Sequence, residues 1–456
     1  MSKFQFLKST GILSISLILS LTSAALSESL DQTDVDELAE TEIAAAGILP
    51  VPVYDADVQD RAFLFGDLGG KRTKWANNGI QFNVESLSWT DTVVDGGVDD
   101  DTQVGSLLAY NLNFDLMRAG ILPGALISVR AETRFGESGN VKAGRVSPMN
   151  TAALSPTNYS APDDGYDFAL TNLTYLQMLS EHFGLIVGKF DMYGDGQANE
   201  FSTGRGHTTF QNWSFNSVTP TILIPASTVG VGAVFLPNPN LNVTALVTSA
   251  TECTKSNCFD DLDDGGIALV KASYQYNMNG LPGGVNGFAS YTFDADFTEL
   301  DSLSFSPREG FSTSTKSSMW IASMDFWQYL WTKELHTGPV NLINREADLR
   351  GVGVFGSLAF ADKDVNPYKT SGTIGVGGRG IFDARPDDTF GVGYFYNDLA
   401  KGRFLDKVND GQGAEAFYNF AITPAVRLTA GGQWIKSAGG KLDDAVVLST
   451  RLQVTF

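Results

Sequence analysis

Cysteine and histidine are nearly absent: 456 residues hold two Cys and three His. A zinc or haem centre therefore has little to be built from. Cations are scarce as well, with 31 Lys and Arg against 52 Asp and Glu. The resulting charge of −21 repels phosphate backbones and excludes nucleic acid as a partner. Long apolar runs are missing beyond the N-terminus. A polytopic helical membrane protein needs several, each of about 20 residues, and is excluded. Apolar residues still make up 43% of the chain, which excludes global disorder. The abundant residues are 48 Gly and 30 Phe.

The N-terminus reads as an address. Lys3 and Lys8 precede an apolar stretch from Ile12 to Leu21, and the small residues Ser23, Ala24, Ala25 and Ser27 follow. This is the pattern of a secretory signal peptide over residues 1–27, with cleavage after Ala25 or Ser27. The apolar stretch is too short for a membrane anchor. Residues 28–60 then carry ten acids, from Glu28 to Asp60, and no Lys or Arg. A block of one sign ending in Pro50 and Pro52 is expected to be a solvated, flexible arm. Export also gives the cysteines a meaning. Cys253 and Cys258 are expected to form a local disulfide pinning one loop; a redox pair would be spaced C-x-x-C.

The rest of the chain has few amphipathic helices and many stretches of period two. Tyr110, Leu112, Phe114 and Leu116 alternate with Asn111, Asn113 and Asp115. Ile127, Val129, Ala131 and Phe135 alternate with Ser128, Arg130, Glu132 and Arg134. Ala268, Val270, Ala272, Tyr274 and Tyr276 alternate with Lys271, Ser273 and Gln275, and Val426, Leu428, Ala430 and Trp434 with Arg427, Thr429 and Gln433. Each has one apolar face and one polar face, as a half-buried β-strand requires. About sixteen such stretches lie between residues 80 and 456. Short connections, such as Gly120–Pro123 and Thr423–Pro424, alternate with long ones, such as 137–166 and 191–227. Residues 331–348 break that alternation and predict an extended excursion on the short-turn side.

A soluble sandwich and a membrane barrel share this alternation and differ in which face meets which solvent. An even strand number near sixteen permits closure around an aqueous channel. Tyr276, Trp320, Trp327 and Trp434 at strand ends suit interfacial girdles. The final stretch places Leu448, Thr450, Leu452, Val454 and Phe456 on one face, and a terminal aromatic after such a strand is similar to the assembly signal of bacterial outer-membrane proteins. The expected fold is all-β, a transmembrane antiparallel barrel over residues 80–456. A short helix precedes it within 61–79, capped by Asp67, running from Leu68 to Asn78 and stopped at Asn78-Gly79. Lys71, Arg72 and Lys74 make it basic.

Six motifs then fall in one order. Gly66-Asp67-Leu68-Gly69-Gly70-Lys71-Arg72 is similar to G-D-W-G-G-x-R, with Leu68 in place of Trp. Gly120-Ile121-Leu122-Pro123-Gly124-Ala125 is similar to G-x-x-P-G-G. Val187-Gly188-Lys189-Phe190-Asp191 and Asn199-Glu200-Phe201 follow, then Glu415-Ala416-Phe417-Tyr418 with Ile422-Thr423-Pro424, and Gln433-Trp434-Ile435 before the closing strand. Over residues 61–456 the chain resembles the carbohydrate-selective porins of the OprB family. That resemblance implies a sixteen-stranded porin of a Gram-negative outer membrane, in contact with its lipid, assembled as a homotrimer and passing monosaccharides and other small polar solutes passively. It implies no cofactor.

In a channel the chemistry is selection, by pore width, hydrogen bonding and rings of charge. Alternation nominates Asn113, Asp115, Arg130, Glu132, Arg134, Lys271, Glu415, Arg427 and Arg451 as pore-lining, with Asn111, Gln275 and Gln433 beside them. Arg130, Glu132 and Arg134 share one face at a spacing of two and offer donors and acceptors with little net field; the same spacing also describes an ion-pair ladder that only rigidifies the wall. Loop 191–227 is long enough to fold inward, and Glu200, Arg205, His207 and Trp213 are its candidates for a constriction.

Other signals carry less. Gly375-Val376-Gly377-Gly378-Arg379-Gly380 fits G-x-G-x-x-G but lies within a strand pattern and opens no helix, so no dinucleotide site is expected. Asp260, Asp261, Asp263 and Asp264 lack the twelve-residue frame of a calcium loop, and no metal site is expected. Two alternatives stand beside the sugar channel: a general or ion-selective diffusion porin, and a secreted all-β glycosidase using two of the carboxylates.

Overall fold

The computed structural model describes residues 47–143, 147–154, 166–193, 199–202, 205–258, 264–302, 304–306, 310–335, 349–400, 408–437 and 442–456. The expected signal segment, arm residues 28–46, Asp260, Asp261, Asp263 and residues 336–348 lie outside the described residues.

Sixteen antiparallel strands close into one barrel. The first eight are β1 (Ile80–Asp95), β2 (Thr102–Asp115), β3 (Ala125–Gly136), β4 (Tyr166–Ser180), β5 (Phe183–Asp191), β6 (Ser227–Asn238), β7 (Leu241–Ser249) and β8 (Gly266–Met278). The rest are β9 (Leu281–Phe293), β10 (Met319–Thr332), β11 (Gly351–Ala361), β12 (Tyr368–Arg379), β13 (Thr389–Leu399), β14 (Gly411–Thr423), β15 (Val426–Ile435) and β16 (Ala445–Thr455). Each strand pairs with its sequence neighbours, and β1 closes the ring on β16, with Trp89 opposite both Gly105 and Arg451. Closure removes the unpaired edges that a span through lipid does not tolerate. Two small ribbons, Phe297–Thr298 with Thr315–Lys316 and Ser304–Ser306 with Gly310–Ser312, decorate the connection between β9 and β10.

The pleat sends alternate residues to opposite sides. Phe82, Phe168, Val187, Val231, Val270, Met324, Ile374, Val392 and Leu448 lie on the outer side, large, apolar and exposed. In water such a surface is unstable; in lipid it is the band a membrane barrel needs. Among the described residues no helix is long and apolar enough to cross a membrane. One stretch of the outer face departs from the band: Ser86, Ser88, Thr90 and Thr92 follow one another along β1. Ser88 Oγ and Ser106 Oγ share a hydrogen bond of 2.8 Å.

Two expectations need correction. Trp327 is not in a girdle. It shares the inward row of Ile321, Ser323 and Asp325 and is buried beside Tyr329. The helix is shorter than its motif suggests: α1 spans Lys71–Asn77. Leu68, Gly69 and Gly70 have left-handed backbones that cannot belong to it. Asp67 still serves its start, Oδ1 accepting from Thr73 N at 2.7 Å.

The N-terminal segment is tied to the barrel. Leu49 N donates to Asp115 Oδ2 at 2.9 Å, and Ile48 and Leu49 join the apolar cluster of Leu126 and Leu176. Part of the expected arm is therefore packed rather than solvated. Arg72 sits against the rings of Tyr54 and Phe63, 4.9 and 4.5 Å from their centroids. It donates to Phe82 O at 2.7 Å and Phe456 O at 3.0 Å, across the β1–β16 seam. Burial pushes the Tyr54 phenol up to about 12, opposed by the Arg72 charge.

Candidate functional site

Between β5 and β6 the described residues 199–202 and 205–226 turn into the barrel and pack on its inner wall. Arg205 donates to Asp191 Oδ2 at 2.6 Å and to Glu132 Oε1 at 3.3 Å. His207 Nδ1 lies 2.5 Å from Glu85 Oε1, which also accepts from Gln453 Nε2 at 2.8 Å. Arg451 reaches the carbonyl of Gly206. Gln211 N and Asn212 N donate to the two oxygens of Glu415, at 2.5 and 2.9 Å. Gln211 Nε2 donates to Asp91 Oδ1 at 2.8 Å, and Asn212 Nδ2 to Gln433 Oε1 at 3.1 Å. The loop thus touches β1, β3, β14, β15 and β16, none of which it connects.

Local chemistry shapes it. Asn212 caps a single helical turn, Trp213–Asn216, its Oδ1 accepting from Ser214 N at 3.0 Å. Asn216 Nδ2 ties the turn to Phe210 O at 2.7 Å. Pro220 then starts a 3-10 turn, Thr219–Leu223. The connection after β3 lies against this loop. Thr151 N donates to Gln211 O and Trp213 N to Pro148 O, both at 2.9 Å, and Asn150 Nδ2 reaches Asp91 Oδ2 at 2.8 Å.

An aromatic socket completes the attachment. Phe201, Phe210 and Phe215 of the loop cluster with Phe355, Phe395 and Phe417 of the wall, and Phe210 lies 4.9 Å from Phe417 edge to face. Glycines make the room. A Cβ on Gly391 would lie 2.5 Å from Phe417 and 2.7 Å from Phe210, and one on Gly393 would lie 2.6 Å from Phe215. On the opposite side of the strand Val392 and Tyr394 remain outward and exposed. The wall is thus indented on the loop side only.

The residues nominated by alternation all lie on the inward face, at different places. Glu132, Arg451, Glu415 and Arg130 are 0, 1, 2 and 4% exposed, covered by the loop and the β3–β4 connection. Arg130 Nε donates to Glu132 Oε1 at 2.6 Å and its Nη1 to Asn111 Oδ1 at 3.0 Å; Arg134 reaches the carbonyl of Ala153. These charges meet opposite charges, carbonyls or, at Glu415, backbone N–H groups, as burial demands. Asn113 accepts from Ser128 Oγ at 2.8 Å. Asp115 and Arg427 lie at the short-turn end, Asp115 against Leu49 and Arg427 donating to Asn419 Oδ1 at 3.0 Å. Glu200 accepts from Tyr329 OH at 3.1 Å. Lys271 and Gln275 stand apart, partly exposed on β8. Cys253 and Cys258 are joined in a disulfide, and Lys189 Nζ donates to Cys253 O at 2.6 Å beside it.

Sequence reasoning missed Glu85 and Asp91, which lie six residues apart on one face of β1. It also missed the wall phenylalanines. A signal for these existed, since Phe395 shares its face with Gly391 and Gly393 rather than with Val392 and Tyr394. The carboxylates are bound up in hydrogen bonds. The cavity bounded by Tyr193, Arg205, His207 and Trp213 is water-sized and cannot hold a sugar ring. Among the described residues no cluster of His, Cys, Asp or Glu is placed to hold a metal ion. What the arrangement can do is narrow and shape a passage.

The comparisons with known proteins agree. A family model described as carbohydrate-selective porin, OprB family, matches residues 101–456. Porin B of Pseudomonas aeruginosa is 23% identical over 434 residues, covering 86% of this chain and 91% of that protein. The putative porin QuiX of Acinetobacter baylyi is 22% identical over 443 residues, covering 87% and 94%. The high-pH structure of Pseudomonas putida OprB superposes with a TM-score of 0.72 at 19% identity, covering 88% of this chain and all of that one. Its low-pH structure gives 0.56 at 18% identity, covering 87% and 99%.

Proposed function

This chain belongs to the OprB family of carbohydrate-selective porins, and from that premise we propose that it carries monosaccharides and other small polar solutes by passive, facilitated diffusion. It is an outer-membrane channel and not an enzyme. The observation that carries the solute reading is the inward loop. It lies against an inner wall whose buried charges meet opposite charges, carbonyls or amides, and a passage narrowed in this way would present donors and acceptors with little net field. Such a surface suits an uncharged polyol better than an ion. Glu132, Glu415 and Arg451 serve this by holding the loop, and Arg130 by bracing Glu132; Arg205 and His207 are their counterparts on the loop itself. Asn113 and Asp115 support the wall, and Asp115 also receives the N-terminal segment.

The oligomer belongs to the same reading. A row of Ser86, Ser88, Thr90 and Thr92 is a poor surface for lipid and a good one for protein. It favours subunit contact through β1 and its neighbours in a homotrimer, with the apolar remainder of the outer face in lipid. Residues 1–27 fit an export signal that is removed on the way.

Liposome swelling tests the function. Purified protein is assayed against a size series of neutral sugars, anions and cations. Monosaccharides are expected to permeate faster than ions of similar size. Rates ordered by size or charge alone would remove the sugar preference and leave a general diffusion pore. Chemical cross-linking of the purified protein is expected to stop at three copies.

A further inference from the structure

The inward loop does not cover the whole wall. Among the described residues, inward polar side chains that keep partial exposure sit together on neighbouring strands: Lys271, Ser273 and Gln275 on β8, Ser323 on β10, Ser357 on β11 and Thr373 on β12. On the opposite side of the barrel the charged residues lie under the loop. A solute that passes the loop therefore meets the β8–β12 wall.

The register makes this wall a surface of defined chemistry. One row places Lys271 opposite Phe288, and Phe288 opposite Ser323. The next places Ser273 opposite Asn286, Asn286 opposite Asp325, and Asp325 opposite Ser357. Asn286 Nδ2 donates to Asp325 Oδ1 at 2.6 Å. Asn286 and Asp325 are each only 7% exposed, so the pair offers an edge to the lumen between the more open Lys271, Ser273 and Ser323; a carboxylate has about four acceptor sites, so acceptor capacity remains beyond that bond. Lys271 stands one inward row from Asp325, across β9. Phe288 is half-buried beside the lysine, an apolar face next to a donor and an acceptor. Ile267, Leu269, Met319 and Ile321 continue the same inward rows toward the longer loops, packed in one apolar cluster with Ile224 of the inward loop. Phe288 packs on the edge of that cluster, so the polar rows begin directly beside the loop contact.

We propose that Lys271, Asn286 and Asp325, backed by Phe288, form the solute-contacting track of the channel, and that they take neutral monosaccharides. Asp325 accepts from ring hydroxyls, Lys271 and Asn286 donate, and Phe288 meets the C–H face of the ring. One cation beside one anion leaves little net field for an ion to follow. The track rests on the sugar-channel reading and deepens it by naming the residues in contact.

Two measurements on Asp325→Ala, Phe288→Ala and Lys271→Glu test it, each on protein whose barrel resists unfolding in detergent as the wild type does. In the first, glucose flux into proteoliposomes at low concentration is compared with urea flux. Loss of one charge-assisted hydrogen bond is expected to lower glucose flux about tenfold in Asp325→Ala with urea unchanged. Should that variant not assemble, Asp325→Asn carries the same expectation at smaller amplitude. In the second, Lys271→Glu is expected to shift the reversal potential under a KCl gradient toward cation preference. Unchanged glucose flux in folded Asp325 and Phe288 variants overturns the track. An unshifted potential in Lys271→Glu does so too, whatever the sugars show. Absence of sugar preference in the wild type removes the function proposed above, and the reversal potential then decides alone whether this wall lines the path.

Discussion

Glu415 on the barrel wall accepts the backbone N–H of Gln211, 204 residues earlier in the chain, at 2.5 Å. Its second oxygen takes the next N–H, of Asn212, at 2.9 Å. Two consecutive amides pointing at one carboxylate form a small anion nest, and the anion is a strand side chain. A buried donor without a partner costs about 1–3 kcal/mol, so this carboxylate holds the loop where it is.

Glu415→Ala strands both donors. The loop is expected to detach locally, giving a larger and noisier single-channel current. Glu415→Gln keeps one acceptor and should lie between that variant and the wild type. Identical means and variances for all three would show that the loop is held by other contacts.

The glycine socket gives a separate prediction. Gly391→Val places branched carbons where Phe210 and Phe417 now pack. Overpacking of this kind costs about 1–3 kcal/mol, and the loop is the part able to move. Conductance is expected to change while the melting of the barrel stays near that of the wild type. Phe210→Ala removes the knob instead, at about 3–5 kcal/mol of loop packing, and should raise conductance. A change in barrel melting without a change in conductance would place the effect in the wall alone.

Arg72 links the N-terminal segment to the seam. Its guanidinium meets two rings and three carbonyls at once. A lysine cannot reproduce that planar arrangement. Arg72→Lys is therefore expected to lower the temperature at which the folded barrel opens in detergent nearly as much as Arg72→Ala does. Full rescue by lysine would reduce its role to charge.

Acidification should loosen the turn between β12 and β13. Hydrogen bonds from Lys333 and Arg350 hold the Asp383 carboxyl below its ordinary value. A lowered folded value means the link contributes above the unfolded value, about 3.9, and is lost as pH falls through the folded one. Amide exchange in residues 380–388, taken relative to the intrinsic rate at each pH, is expected to be flat from pH 7 to pH 5 and to rise only below about pH 4. A rise near pH 6 would assign the change to another group.

The disulfide should matter locally. Its ring closes a short loop, worth about 2 kcal/mol in the chain-entropy account. Cys253→Ser with Cys258→Ser is expected to speed proteolysis near residues 250–258 and leave sugar flux unchanged. A changed flux would connect that loop to the passage.

Much of the barrel was legible because lipid and water act on each strand residue by residue. Period two along Tyr110–Leu116 or Val426–Trp434 records that contrast directly, and short turns fix which strands are neighbours. All sixteen expected stretches are strands of the barrel. Trp327 shows the limit of that reading. Its hydrophobicity suggested lipid, and only its parity with Asp325 put it inside.

The sequence by itself determined the strand number, the order of pairing and the side on which each residue stands. Those follow from local alternation and from connections too short to reach elsewhere. Only the tertiary structure decided what the inward residues do. Arg130, Glu132, Glu415 and Arg451 look like a pore lining from their strands alone. A loop brings Arg205, Gly206 and Gln211 against the last three, at separations of 73 to 245 residues. Nothing in a strand's own pattern encodes such a contact, because the loop is held by shape and hydrogen bonds that exist only after the barrel has closed.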